Sequence, residues 1–98
     1  MRLDYHPAVQ RDFHEAIDFY EAAGPRLADR FEAEFRHCVA AIGKTPRRFG
    51  FYGGSSVCRR VRLRSFPYVI VYRERADAVR VLVLKHEKRA VTYGVRRS

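Results

Sequence analysis

Apolar residues change their spacing along this chain, and each change marks a new structural element. The opening Met1-Arg2-Leu3-Asp4-Tyr5 alternates apolar with polar and predicts a short strand. Val9, Phe13, Ala16, Ile17 and Tyr20 then recur at helical spacing. They predict an amphipathic helix that begins at His6-Pro7, where proline gives up only an amide that the first turn leaves unpaired, and stops at Gly24-Pro25. Leu27, Phe31, Phe35, Cys38, Val39 and Ile42 form the stripe of a second helix, with Gly43 and Pro46 predicting its end. So short a break between two helices predicts an antiparallel hairpin. From Val57 the period becomes two: Val57, Val61 and Leu63 point one way, Arg60, Arg62 and Arg64 the other. Ser65 to Pro67 turns the chain into Tyr68-Val69-Ile70-Val71-Tyr72, apolar on both faces as a central strand is. A short connection at Arg75-Ala76-Asp77 leads to a last strand over Val79–Leu84. Strand, helical hairpin and antiparallel strands packed on that hairpin make an α+β fold of two layers.

Ninety-eight residues fit one domain, 1–98, too small for a deep interior site, so function is expected on a surface or in a shallow groove. The loop Thr45–Ser56 is rich in Gly, Pro and basic residues, and its Phe49, Phe51 and Tyr52 are expected to cap the helical hairpin. Twenty Lys and Arg against eleven Asp and Glu give a formal charge of +9, which calls for an anionic partner. No apolar run reaches the roughly 18 residues of a membrane span, and the first residues lack the apolar core of a signal peptide. The expected compartment is the cytoplasm, where Cys38 and Cys58 are small apolar fillers. The four histidines show no ligand spacing, so neither metal nor cofactor is expected.

The chemistry that remains belongs to the sheet and its rim: Arg60, Arg62, Arg64, Lys85, His86, Lys88, Arg89, Tyr93, Arg96 and Arg97. Planar guanidinium forks suit phosphate or carboxylate, and a neighbouring Tyr can stack on a base or give up a proton. Paired-carboxylate hydrolysis is disfavoured, because Asp12, Glu15, Asp18, Glu21, Asp29, Glu32 and Glu34 read as solvent-facing positions of the helices. Metal-free RNA cleavage is chemically open, with His86, Lys85, Arg89 and Tyr93 as its possible acid–base and charge-stabilising groups. A basic module that only binds nucleic acid is the alternative of a different class.

In order and spacing, Tyr5-His6-Pro7-Ala8, Ala16-Ile17-Asp18-Phe19-Tyr20, the Phe31 and Phe35 stripe, Pro46, Arg60 to Leu63, Phe66-Pro67-Tyr68, Tyr72, His86 and Arg89 to Tyr93 resemble the RelE/ParE superfamily, the toxins of type II toxin–antitoxin pairs. The resemblance implies this α+β fold, neutralisation by an acidic antitoxin in a heteromeric complex, and one of two targets. RelE-like members cut messenger RNA on the ribosome; ParE-like members poison DNA gyrase without that catalytic set. The long hairpin and the Phe-Pro-Tyr strand start look closer to the ParE-like, plasmid-stabilisation branch. Two departures stand out: the usual Pro between Arg89 and Tyr93 is missing, and Gly94 replaces a frequent Trp. If the chain were an RNase, the resemblance would make Arg62, Arg89 and Tyr93 catalytic. The basic row and rim themselves offer Arg60, Arg62, Arg64, Lys85, His86, Arg89 and Arg96 as the binding surface.

Overall fold

A computed structural model describes residues 1–98 as β1 (Arg2–Tyr5), α1 (Ala8–Ala23), α2 (Pro25–Lys44), β2 (Cys58–Arg62), β3 (Tyr68–Glu74) and β4 (Ala78–His86). The two helices do fold back as a hairpin, and a single residue joins them. Gly24 donates its amide to the Tyr20 carbonyl, closing α1, and its own carbonyl accepts the Leu27 amide, opening α2 behind Pro25. At its other end α2 passes through Gly43 instead of stopping there, and Thr45 caps it. The reason is packing. A Cβ on Gly43 would lie 3.2 Å from Leu3 Cδ1, so the missing side chain lets the helix press against β1.

The sheet order is β1-β4-β3-β2. β2–β3 and β3–β4 are antiparallel, as the short turns require, whereas β1 adds parallel to β4, Tyr5 opposite Val81. Most of the predicted stripes meet in one core between hairpin and sheet, with Val9, Ala16, Phe31, Phe35 and Ile42 facing Leu63, Phe66, Ile70, Tyr72 and Val79. Phe31 is its hub, its ring 5.1–5.3 Å from those of Tyr20, Phe66 and Tyr68. Tyr72 is fully buried and donates its hydroxyl to the Pro46 carbonyl, fixing the loop after α2. Burial, opposed by the Arg59 charge, pushes its phenol up to about 12.

A second core covers the opposite face of the sheet. Tyr52, Cys58, Val69, Val71, Leu82 and Val83 pack there under Tyr93 and Val95 from the C-terminal segment. Of the three loop aromatics, then, only Phe49 packs towards the hairpin core. Tyr52 belongs to the second core, and Phe51 is exposed beneath the Arg59 guanidinium, 4.1 Å from its ring. A bulge in β4 makes the second core possible. Val71 pairs with Val83 and Tyr72 with Val81, so Leu82 is an extra residue and the alternation flips past it.

Candidate functional site

That flip decides where the chemistry-bearing residues of β4 point. Val79 and Val81 face the helices before the bulge; beyond it Leu84 and His86 do, and Lys85 goes to the other side. His86 stands against the Tyr68 ring, 5.4 Å between centroids, and its Nδ1 accepts the Lys88 amide at 3.1 Å. Lys85 is buried, only 3% exposed. Its ammonium donates to the carbonyls of Arg89 and Ala90 at 3.1 and 2.8 Å and lies 5.0 Å from the Tyr52 ring centroid. Lys85 therefore anchors the chain where it leaves the sheet, and its charge does not reach the surface.

The arginine row is shorter than its spacing predicts. Arg60 and Arg62 stand exposed at alternate positions of β2, on the face of Cys58. Arg64 lies past the end of the strand and turns to α2, where it lines a depression with Glu34 and His37. Arg62 is bound to Glu87, Nε to Oε2 at 2.8 Å, and this hydrogen bond holds the Glu87 carboxyl below its ordinary range.

Arg89 and Tyr93 come together. The Arg89 guanidinium lies 4.3 Å from the Tyr93 ring centroid and that of Arg97 lies 5.3 Å from it. His86, Arg89 and Tyr93 line one cavity of about 210 Å³ with Glu15, Phe19 and Tyr68 from α1 and β3. Burial raises the Tyr68 phenol, while Arg89 pulls it down and Glu15 pushes it up. Arg62 is not among the residues that line this cavity; it pairs with Glu87, next to the lining His86. Arg96 is exposed beside Val95, which packs on the second core.

Two groups that the sequence reading placed on the solvent side or the rim are built into the interior. Asp12 is buried, not solvent-facing. Its Oδ2 accepts the Arg97 guanidinium at 2.6 Å and the Leu84 amide at 3.2 Å, while Arg97 also donates to the Leu82 carbonyl. β1 ends opposite Val81, and Asp12 with Arg97 completes the edge of β4 beyond it. The signal was present in the sequence: Asp12 is one turn on from Val9 and one before Ala16, a charge inside the apolar stripe. Arg73 was missed as well. It is half-buried across from Cys58, and its Nε is buried with no hydrogen-bond partner.

The family model for the ParE toxin of type II toxin-antitoxin system, parDE, matches residues 3–91. The chain belongs to the ParE toxin family. Among curated relatives, Toxin ParE2 of Mycobacterium tuberculosis is 31% identical over 86 residues, which cover 87% of this chain and 80% of the relative, in both the CDC 1551 and H37Rv strains. Among solved structures, the chromosomal ParDE TA system from P. aeruginosa superposes with a TM-score of 0.76 at 17% identity, covering 88% of this chain and 95% of the other, a likeness of fold. The ParE-like branch inferred from Phe66-Pro67-Tyr68 and the long hairpin is thus the family of this chain, and its two-layer α+β fold is the ParE fold. No helix is long and apolar enough to cross a membrane.

Proposed function

We propose that this ParE-family chain is a toxin that acts in the cytoplasm on DNA gyrase by protein contact, with no bond chemistry of its own, and that an acidic antitoxin neutralises it. The observation that carries this reading is how the candidate acid–base groups are occupied. Arg62 is paired with Glu87, and the buried Lys85 ammonium donates to two backbone carbonyls. A general acid has to be within reach of the leaving oxygen, and these groups serve the fold first. The antitoxin half of the proposal is supported by charge. Residues 45–98 carry fourteen Lys and Arg against three Asp and Glu, a surface that an acidic segment would neutralise.

Messenger-RNA cleavage on the ribosome has one observation in its favour, the cavity that His86, Arg89 and Tyr93 share. One pair of assays separates the readings. Purified chain goes into a gyrase supercoiling reaction and, separately, onto translating ribosomes with a labelled message. We expect lost supercoiling and an intact message, with the protein of the adjacent gene restoring supercoiling. Cleavage of the message with supercoiling untouched overturns the proposal. Replacing Tyr93 by Phe should then slow that cleavage by about two orders of magnitude, as loss of a general acid does.

A further inference from the structure

Positive charge is segregated in this molecule. Residues 8–44, the helical layer, carry five Lys and Arg against seven Asp and Glu, so the whole surplus of +9 belongs to the sheet side. The acids there are used up. Glu74, Asp77 and Glu87 each lie within 4 Å of an arginine, at 2.8, 3.8 and 2.8 Å, and Asp4 of β1 is 2.9 Å from Arg80. Of the fourteen cations in residues 45–98, six donate to carboxylates or carbonyls and eight have neither. Two of the eight share one face of the sheet. Arg60 stands on β2 two residues from Cys58, and Arg73 is directly across from Cys58 on β3. Arg60 and Arg73 are diagonal cross-strand neighbours, about 7–8 Å apart. Val95 packs on the core beneath, and Arg96 next to it is exposed. The buried Arg73 Nε lacks an acceptor. Like charges held this close repel, so an external anion is the group this face is built to meet.

We infer that this face binds the phosphate backbone of duplex DNA. A duplex rather than a single strand is favoured by what the face lacks. Single-strand binders stack bases on exposed aromatic rings, whereas here Tyr52 is buried and Tyr93 lies under Arg89. The exposed aromatics Tyr5, Phe19 and Phe51 belong to β1, α1 and the loop beneath Arg59. Guanidinium groups without stacking platforms or groove-reading elements recognise phosphate and not sequence. The inference stands on charge placement alone and does not require gyrase to be the target.

Anisotropy of a labelled random-sequence 20-base-pair duplex tests it, with salt as the variable. Contact with four phosphates gives a slope of log affinity on log salt of about −3.6, hence about a 100-fold loss between 50 and 200 mM. Arg60→Glu with Arg96→Glu should lower affinity at least ten-fold and flatten the slope by about two. Arg11→Glu with Arg26→Glu, the same charge change on the helical layer, should leave both almost unchanged. Arg73→Gln, a milder change that keeps the side chain's bulk, should also weaken binding. Thermal unfolding confirms that each variant is folded. Equal losses from the two double variants, no binding at 50 mM salt, or capture of polyglutamate but not of duplex overturns the inference. The last outcome assigns the face to an acidic protein. Because binding is read without gyrase, failure here and failure of the gyrase proposal are separate results.

Discussion

Asp12 is the residue through which α1, β4 and the C-terminal segment are joined. Its carboxylate is 2% exposed and its partner guanidinium 13%, so neither charge can turn to water if the other is removed. Buried pairs behave asymmetrically: removing both partners is tolerable, whereas removing one strands a charge. Asp12→Asn should therefore cost about 3 kcal/mol of stability, read as the denaturant midpoint, and Asp12→Leu with Arg97→Met should recover most of it. Equal losses in the single and double variants would mean that the pair acts only through packing. A charged side chain on a helix usually faces solvent, and the average is what misplaces Asp12. What decides its burial is the β4 edge left open where β1 stops, seventy residues away in sequence. Arg60 and Arg62 were legible because period-two alternation places them directly; Lys85 was not, because the bulge at Leu82 shifts the alternation just before it.

Among the elements, the hairpin was the most readable and the C-terminal segment the least. Stripes such as Val9, Phe13 and Ala16 or Phe31, Phe35 and Ile42 are dictated by local geometry, and helices obey it over many turns. Residues 90–98 form only turns, and their placement comes from contacts distant in sequence. Tyr93 and Val95 cover the second core, Lys85 holds the carbonyls of Arg89 and Ala90, and Arg97 reaches Asp12. Gly94 is the tight point of this segment. It takes φ +75°, and a Cβ there would be 2.4 Å from Val83 Cγ2. The glycine at this position is thus a fit to the bulge-packed Val83. Gly94→Ala should cost about 1–3 kcal/mol through backbone strain, besides the clash, and should speed amide exchange in Val83 and its neighbours before global unfolding. Unchanged exchange there would show that the segment does not cover the second core in solution.

For the molecule as a whole, acid is the sensitive side of the pH scale. Glu74 and Glu87 are lowered from 4.5 chiefly by hydrogen bonds from Arg47 and Arg62; at Glu34 burial pulls upwards but hydrogen bonds from Ser65 and Arg64 outweigh it. A carboxyl whose folded pKa is depressed contributes stability that is present above 4.5 and is lost as pH falls through the folded value. Neutralising acids also uncovers twenty Lys and Arg, whose repulsion grows as their partners vanish. The thermal midpoint should fall progressively as the pH drops from 5 to 3, and added salt should restore part of it; a flat or rising midpoint would contradict this account. The parallel pairing of β1 with β4 has a different kind of consequence, one that concerns timing. A ribosome releases residues 2–5 long before residues 78–81, their only partner strand, so the sheet cannot close until β4 has emerged. An unfinished chain is a helical hairpin with its apolar stripe uncovered and no sheet to display its arginines. The cell that makes this protein is exposed to its folded surface only after residues 78–81 have been synthesised.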